Sequence, residues 1–293
     1  MVRISDIEKL EDVSLKDFCT IRIGGYAKHI FFPKNEEEVA VLYKEALYQG
    51  KKVVPLGLGS NVIFSDDILT YFFIHSKNLK NMYIKQIGND FYLDMEAGVS
   101  FKQIVEVVKK YNLEGFENLS GIPATIGGAV CMNAGAYGSE IMDIVERVYW
   151  ISEEGDSIEY SKEDISYSYR YTQFQEGGFV YRVIIKLKKS DKDIKSLIKQ
   201  HLLDRNKKQP LNLPTSGSTY KNPLPYYAGQ LLEKHGFKGK RVGDVGFSQK
   251  HANFLVNYGN GKFEDLIKLL EEAEKVIFEK EGIELEREVK IVE

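Results

Sequence analysis

The sequence predicts an α+β protein with more than one domain, and three observations lead to this class. The chain has 293 residues, which suggests about two domains, with a third possible. Its first part reads as strand, helix, strand and glycine turn, and its middle adds further strands and a hairpin. After residue 190, a charged helix and a proline-rich segment precede a stretch of roughly 100 residues that mixes helices with strands.

The first predicted helix spans residues 35–50 and is followed by a strand. Asn35 can cap this helix, and the three glutamates after it suit the positive end of the helix dipole. Gly50 can end it. Its apolar stripe comprises Val39, Leu42, Tyr43, Ala46 and Leu47. The strand KKVVPL and the glycine turn GLGSN come next.

The middle of the chain alternates strands with one helix. Residues 91–98 (FYLDMEAG) alternate apolar and polar side chains, as a half-buried strand does. Ser100 and Gln103 have the spacing of a capping box for a helix that reaches Tyr111. Residues 145–160 predict a hairpin with EEGD at its turn, and residues 179–189 predict another strand.

We place a domain boundary near residue 190. The helix after it has Ile194, Leu197, Ile198, His201 and Leu202 on one side, and it ends at Pro210. Four of the seven prolines lie between 210 and 225, which predicts a rigid loop. Then follow a helix (226–235), two strands (241–247 and 252–257), a helix (263–281) and a strand (283–292). This boundary sets off residues 191–293 as a separate C-terminal domain.

Bulk composition argues for a globular protein of a reducing compartment. The net charge of −3 favours neither nucleic acid nor an anionic membrane as a partner. Cys19 and Cys131 are the two cysteines. They could form one disulfide, but two cysteines in a chain of this length are more typical of a reducing compartment such as the cytoplasm. The N-terminal residues carry charges throughout and do not resemble a signal peptide. We expect a cytoplasmic monomer that binds a small molecule.

Residues 118–139 (NLSGIPATIGGAVCMNAGAYGS) contain no charge and five glycines. Their length would suit a membrane span, but glycine, proline and asparagine would leave irregular backbone unsatisfied in lipid. Two further glycine clusters lie at 24–25 and 57–59. Successive amides in glycine turns bind anions such as a diphosphate. Each cluster alone is explained by a tight turn; the three together make a bound dinucleotide an equally good explanation.

A P-loop sequence is absent, and GLGSN lacks the third glycine of a Rossmann motif.

The motifs together resemble one family. PLGLGSNVIFSD followed by LSGIPATIGGAVCMNAGAYG is similar to the flavin-binding core of the UDP-N-acetylenolpyruvoylglucosamine reductases. The resemblance continues in order through SYSYRYTQF, RNKKQP, SGSTYKNP, KHANFLVN and GIELEREVKIV, and it covers roughly residues 15–292. The absence of an inserted substrate-clamping loop indicates the compact subclass, so the clamp tyrosine of other members has no counterpart.

This resemblance implies both a fold and a reaction. The implied fold is an α+β two-lobed FAD-binding region of the vanillyl-alcohol-oxidase type, with lobes at 1–62 and 63–190, plus a C-terminal α/β substrate lobe at 191–293. NADPH reduces the FAD and leaves, and UDP-N-acetylglucosamine enolpyruvate then takes hydride at its β-carbon and a proton at its α-carbon. The product is UDP-N-acetylmuramate, a peptidoglycan precursor.

The resemblance also implies which residues hold FAD. They belong to two glycine turns that offer backbone and short side chains. The predicted set is Gly57, Leu58, Gly59, Ser60, Asn61, Ser120, Gly121, Ile122, Pro123, Thr125, Ile126, Gly127, Gly128 and Ala129. Ile122 and Ala129 are expected near the flavin ring, residues 135–138 and 22–25 contribute less, and Cys131 has no assigned chemistry. Leu58 and Ala124 stand where many relatives have glycine, and Tyr220 where many have phenylalanine.

Three residues are predicted to be catalytic. Ser218 matches the family's proton donor; by itself it would be a turn serine, and Lys221 could help to stabilise its alkoxide. Arg170 would hold the substrate carboxylate and the developing enolate charge, although an arginine among tyrosines is otherwise a stacked surface residue. Glu288 matches the family's glutamate, and a register slip would give Glu286 instead.

The remaining predictions concern the substrate and the metals. Lys208, Arg205, Asn222 and Tyr169 are predicted to contact the substrate, although such residues commonly face solvent. His251 is expected to be structural, and no histidine or cysteine spacing suits a catalytic metal. The alternatives are another flavin oxidoreductase of the superfamily, a noncatalytic nucleotide-binding module, and a serine hydrolase that pairs Ser218 with His235 or His251.

Overall fold

The computed structural model describes residues 2–293 and divides into two compact units. Unit 1 runs from the N-terminus to Glu11 and adds His29–Leu58 and Thr70–Asp204. Unit 2 comprises Asp12–Lys28, Gly59–Leu69 and Arg205–Glu293. Both units are therefore discontinuous in sequence. The predicted three-lobe division at residues 62 and 190 stays a prediction.

Helices and strands alternate along most of the chain. The α-helices are α1 (Glu36–Tyr48), α2 (Phe101–Tyr111), α3 (Ile126–Cys131), α4 (Ile194–Lys208), α5 (Ala228–Lys234) and α6 (Phe263–Glu281). The strands of the N-terminal half are β1 (Lys9–Ser14), β2 (Tyr26–Phe31), β3 (Val53–Leu56), β4 (Val62–Phe64), β5 (Ile68–His75), β6 (Met82–Ile87), β7 (Asp90–Glu96), β8 (Leu113–Glu114), β9 (Gly135–Ala136) and β10 (Ser139–Glu140). The later strands are β11 (Val145–Ile151), β12 (Ser157–Ser161), β13 (Tyr167–Ser168), β14 (Tyr171–Thr172), β15 (Phe179–Lys189), β16 (Thr215–Ser218), β17 (Arg241–Val242), β18 (Val245–Phe247), β19 (Phe254–Asn257) and β20 (Lys290–Val292). Short 3₁₀ helices occupy Ile4–Asp6, Leu15–Phe18, Ser76–Asn78, Glu117–Leu119, Ile141–Asp143, Lys162–Asp164 and Gln173–Gln175.

Unit 1 is built on two sheets. A four-stranded sheet has the order β1-β2-β5-β3, and β3 pairs with β5 in parallel. A six-stranded antiparallel sheet has the order β12-β11-β15-β7-β6, with β8 paired to β15. Alternate residues of β7 and β15 face a core with the apolar stripe of α2, because side chains alternate across a pleated sheet. The members of β7 and β15 in this core are Phe91, Leu93, Met95, Val180, Val183, Ile185 and Leu187.

The predicted helix caps of unit 1 are confirmed. The Asn35 side chain accepts a hydrogen bond from the Glu38 amide at 3.0 Å, and α1 begins at the next residue. Ser100 and Gln103 form the reciprocal capping box of α2. Each cap satisfies amides that the first helical turn leaves without a partner, so the chain turns into a helix there.

Unit 2 contains a second antiparallel sheet with the order β16-β19-β18-β17. Its long helix α6 has the predicted bounds and ends at Gly282, which adopts the left-handed conformation of a helix cap. The C-terminal strand β20 pairs in parallel with β4, about 230 residues earlier in the chain, in the register Ile291 with Ile63. These pairings bring the far C-terminus against residues 59–65.

Several sequence predictions are wrong in detail. Leu47, in the last turn of α1, is 61% exposed, and Leu202, one turn after the buried Ile198 in α4, is also exposed, so neither belongs to the core. Residues 241–247 form two strands, β17 and β18, around a turn at Gly243. Residues 283–289 make only intermittent backbone hydrogen bonds, so the last strand is confined to Lys290–Val292.

The proline-rich stretch from 210 to 225 is also not entirely a loop. It contains β16, which pairs with β19 and has an irregular register between Thr215 and Ser218. Pro214 precedes the strand and therefore removes none of its ladder hydrogen bonds. This irregular strand is the segment that contains Ser218.

Candidate active site

The neutral segment of unit 1 is fixed at its centre by Thr125. This buried residue caps α3, its side chain accepting the Gly128 amide, and it forms an isolated bridge with Ser100. The amides of Ile126 and Gly127 donate to the carbonyls of Val99 and Ala97 at 2.8 and 3.0 Å. These two amides hold the segment against the start of α2, so they are used within the protein.

The glycine turn after β3 approaches the same threonine. A Cβ atom at Gly57 would lie 2.5 Å from Thr125 Oγ1, so only glycine permits this approach. Leu58 projects outward and is exposed. The two predicted cofactor turns of unit 1, at 57–58 and 120–129, are thus in contact with each other.

The start of the neutral segment is a series of tight turns. Ser120 donates its hydroxyl to the Glu117 carbonyl at 2.7 Å, and the Ile122 amide donates to Leu119. Ile122 and Ala124 pack against the core of the six-stranded sheet, whereas Pro123 and Gly128 are exposed. Residues 118–139 bring no carboxylate or ammonium group to this surface. Such a neutral surface of glycine turns suits the diphosphate and the uncharged ring system of FAD, so these residues fit the cofactor.

Arg170 lies at the second position of the two-residue turn between β13 and β14. Its side chain is only 16% exposed, and its guanidinium lies 4.8 Å from the ring centroid of Tyr169. Nη2 donates to the Gly135 carbonyl at 2.9 Å, and Nη1 approaches Glu140 Oε1 at 3.4 Å. The predicted carboxylate-binding arginine is therefore attached to the end of the neutral segment.

That end of the segment is a hairpin formed by β9 and β10. Tyr137 and Gly138 both have positive φ, at 52° and 80°, as a tight two-residue hairpin requires. Tyr137 stacks on His201 with ring centroids 4.6 Å apart, and its hydroxyl donates to Asp204 at 2.9 Å. The hairpin tip is thus anchored to α4.

In unit 2, the glycine turn continues with Gly59, Ser60 and Asn61. Gly59 has φ of 65°, and a Cβ there would lie 1.9 Å from the Phe18 carbonyl oxygen. The Asn61 side chain donates to the Glu288 carbonyl at 3.1 Å, and the Asn61 carbonyl accepts from the Lys290 amide at 3.0 Å. The turn is therefore bonded directly to the C-terminal segment.

The structure brings the predicted serine and glutamate of unit 2 to the same place. Ser218 is half-buried at the end of β16, next to Gly217, whose hypothetical Cβ lies 3.7 Å from the Ser60 carbonyl. The Glu288 amide donates to the carbonyl of Thr219 at 2.8 Å. Asn61 and Thr219 are thus both hydrogen-bonded to Glu288, and Ser218 is the residue next to Thr219 in the chain.

The same geometry distinguishes Glu288 from Glu286. Glu286 is 70% exposed, and its carboxylate pairs with Lys221 Nζ at 2.6 Å. Lys221 is engaged in this ion pair, and its suggested help to the serine alkoxide stays a prediction. Partial burial lowers the pKa of Lys290, and nearby Lys221 lowers it further while Glu286 opposes the shift. Both glutamates lie beside the serine segment, since the Glu288 amide donates to Thr219 and the Glu286 carbonyl accepts from the Lys221 amide; Glu288 is half-buried, and its assignment as the catalytic glutamate stays a prediction.

The predicted substrate residues are less concentrated. The Asn222 side chain accepts a hydrogen bond from the Ala228 amide at 3.1 Å, just ahead of α5. Arg205 is half-buried within α4, whereas Lys208 is exposed at its C-terminal end. Tyr169 in unit 1 is exposed beside Arg170. Their contact with a substrate stays a prediction.

The two histidines considered for hydrolysis have other partners. His235 Nε2 lies 2.5 Å from Glu281, and His251 Nδ1 accepts from the Asn253 amide at 3.2 Å. Burial lowers the pKa of His251, which packs edge-on against Phe254. Burial also raises the pKa of the Cys131 thiol to about 12, so this residue is not a reactive thiolate. These contacts favour structural roles for all three.

Two residues beside Arg170, Asn133 and Glu140, were not predicted from the sequence. Asn133 is fully buried, with its side-chain amide bonded to the Glu140 carboxylate at 2.7 Å. Their only sequence signal is position, at the two ends of the AGAYGS turn.

Within residues 2–293, no group of three or more metal-binding side chains is clustered, and none of the described helices is long and apolar enough to cross a membrane.

Comparison with known proteins agrees with this geometry. The family profile described as FAD binding domain matches residues 27–161, and the profile described as UDP-N-acetylenolpyruvoylglucosamine reductase, C-terminal domain, matches residues 209–292. The reductase of that name from Aquifex aeolicus is 39% identical over 97% of this chain and 95% of its own length. The one from Caldanaerobacter subterraneus is 37% identical over 95% and 91%.

Solved structures show the same similarity. The UDP-N-acetylenolpyruvylglucosamine reductase of Thermus caldophilus is 29% identical, with a TM-score of 0.82 over 98% of this chain and 99% of that chain. Cholesterol oxidase from Brevibacterium sterolicum, at 16% identity, has a TM-score of 0.51 over 63% of this chain and 38% of its own, which shows a shared fold alone. The predicted fold class, with its vanillyl-alcohol-oxidase-type FAD-binding region, is confirmed.

Proposed function

The chain belongs to the UDP-N-acetylenolpyruvoylglucosamine reductase family of FAD-binding oxidoreductases, and from this we propose that it reduces UDP-N-acetylglucosamine enolpyruvate to UDP-N-acetylmuramate with NADPH. The observation that carries the proposal is the cluster in unit 2. There the glycine turn, the serine segment and the glutamate segment are hydrogen-bonded to one another. The reaction is a step of peptidoglycan precursor synthesis.

FAD, when bound, accepts hydride from NADPH and supplies it to the substrate. The neutral turns at 57–61 and 120–129 would hold it. Gly57, Gly59 and Gly127 lack room for a side chain because a Cβ would lie within 3.0 Å of a neighbouring atom. The chain's own task is then to place the enolpyruvyl group and to supply a proton.

Ser218 donates the proton to the α-carbon in this proposal. A serine hydroxyl is a weak acid, but the carbon of an enolic intermediate is basic enough to accept its proton when neighbouring hydrogen-bond donors stabilise the serine alkoxide, which solvent then reprotonates. Ser218 is paired with Phe254 at the end of β16, directly after the register shift that separates it from Thr215. Arg170 binds the substrate carboxylate, and Glu288 stabilises the enolic intermediate beside Ser218.

Absorption spectroscopy tests the proposed activity. The purified protein should be yellow, should bleach anaerobically on addition of NADPH, and should regain its colour on addition of UDP-N-acetylglucosamine enolpyruvate. Protein that takes up no FAD would contradict the flavin assignment. Reduced protein that is reoxidised by oxygen and not by the enol ether would instead indicate another oxidase of the superfamily.

The role of Ser218 is tested by separating the two half-reactions. In Ser218→Ala, flavin reduction by NADPH should keep its rate, because no proton from this residue is needed there. Reoxidation by the enol ether should slow by roughly 10³-fold or more, because general-acid catalysis is lost. Equal slowing of both half-reactions in stopped-flow measurements would show that Ser218 is not the proton donor.

A further inference from the structure

The backbone of Arg170 is held in an unusual conformation. Its φ of 57° lies in the left-handed region, which a residue with a side chain adopts only when the surrounding structure holds it there. Its carbonyl accepts from Gln175 Nε2 at 3.0 Å, and the same amide also donates to the Cys131 carbonyl. The surrounding structure therefore fixes where this side chain starts.

The guanidinium is fixed from the opposite side by the hairpin. Glu140 Oε1 faces Nη1, and Glu140 Oε2 accepts from Asn133 Nδ2 at 2.7 Å. Asn133 also donates to the Ser168 carbonyl at 2.8 Å and accepts from the Met142 amide. Asn133 is fully buried and itself has φ of 42°. One buried amide thus links the hairpin carboxylate to the strand that precedes Arg170.

Gly135 makes room for this arrangement. A Cβ there would lie 3.0 Å from Arg170 Nη1 and 2.7 Å from the Ser139 carbonyl. The guanidinium therefore lies directly over the Gly135 backbone, with Nη2 bonded to its carbonyl. Three segments of the chain therefore meet at the Arg170 guanidinium. They are residues 133–135, 139–142 and 168–170.

We propose that Glu140, oriented by Asn133, is a positioning residue that sets the orientation of Arg170 during reduction of the enolpyruvyl substrate. The proposal rests on the proposed function. A planar guanidinium must be oriented to bind a carboxylate in two places, and an error of about 1 Å in a reacting group can cost 10²-fold in rate. Glu140 contributes a fixed negative charge to this task, and it touches the substrate only through Arg170.

Glu140→Gln tests the proposal because it keeps the shape and the acceptor for Asn133 while it removes the charge. Reoxidation of the reduced flavin by saturating UDP-N-acetylglucosamine enolpyruvate should slow about 10-fold, and reduction by NADPH should change less than about twofold. Glu140→Asp, which keeps the charge, should recover part of the loss. Stopped-flow absorption at the flavin band measures both half-reactions.

A double-mutant cycle separates positioning from general support of the fold. If Glu140 acts through Arg170, Glu140→Gln should slow reoxidation no further once Arg170→Lys is present. Asp94→Asn is the matched control, since it breaks the Arg182–Asp94 ion pair on the six-stranded sheet of the same unit. The control should leave both half-reactions unchanged.

The outcomes are distinct. A wild-type protein that does not reduce the enol ether contradicts the proposed function itself. An active wild-type protein with an unimpaired Glu140→Gln variant overturns the positioning role alone. Additive losses in the double variant, or equal slowing of both half-reactions, would show that Glu140 supports the fold and does not act through Arg170.

Discussion

His75 is a largely buried imidazole at the end of β5, paired in register with Leu56 just before the glycine turn. Its Nδ1 accepts from the Lys77 amide at 3.1 Å, and its ring packs against Phe32. Burial, helped by the nearby positive charges of Lys77 and Lys80, lowers the pKa of His75 to about 4. The neutral form is therefore the one that the fold accommodates.

This shift predicts an acid-sensitive stability. Because the unfolded chain binds a proton near pH 6.5 and the folded chain near pH 4, stability is present above pH 6.5 and is lost as the pH falls to 4. The loss amounts to about 3 kcal/mol. In His75→Asn, which keeps an acceptor for the Lys77 amide, urea unfolding should show a shallower dependence on pH in that window. An unchanged slope would contradict the assignment.

At the scale of elements, the turn after β3 depends on Gly59 for two separate reasons. Its φ is positive, and its Cα faces the Phe18 carbonyl at a distance that excludes a Cβ. Gly88, in the β6–β7 hairpin, has φ of 60° but open space around it. A comparison of Gly59 with Gly88 therefore separates the energetic cost of the backbone conformation from the cost of the steric contact.

Alanine substitutions at these two glycines should therefore differ. Gly88→Ala should cost about 1 kcal/mol, which is the price of the left-handed conformation. Gly59→Ala should cost roughly 4 kcal/mol or more, because backbone atoms must move, and it should weaken FAD retention. Thermal unfolding and flavin content after gel filtration measure both effects. Similar losses at the two positions would show that the contact with Phe18 is easily relieved.

The elements that the sequence predicts well are those with local signals. Asn35 and Ser100 begin helices through contacts within four residues. Helix α6 has a row of buried apolar residues along one side and ends at Gly282. β20 could not be bounded in this way, because its partner β4 is remote in sequence. The family motifs predict Ser218 and Glu288 as catalytic, whereas no local signal predicts the pairing of Lys221 with Glu286 or the hydrogen bond between Asn133 and Glu140, because both depend on tertiary contacts.

At the scale of the whole molecule, unit 2 is assembled from three distant segments. Asn257 donates its side-chain amide to the carbonyls of Ile21 and Arg22 at 3.1 and 3.2 Å. The Thr20 hydroxyl donates to the Thr215 carbonyl at 2.6 Å, and the Ser65 amide donates to the Val292 carbonyl at 2.9 Å. The family profile that covers residues 209–292 therefore spans only part of the folding unit.

We accordingly expect the fragment 205–293 not to fold alone. Without residues 59–69, β20 loses its only described pairing partner, and Asn257 loses the acceptors in residues 12–28. A buried amide without a partner costs roughly 1–3 kcal/mol, a large fraction of the stability of so small a domain. Urea unfolding of the fragment, followed by circular dichroism, should show no cooperative transition. Adding the fragment 1–204 should restore one, because it supplies both missing segments; a cooperative transition of 205–293 alone would show that these long-range contacts are dispensable for the fold of unit 2.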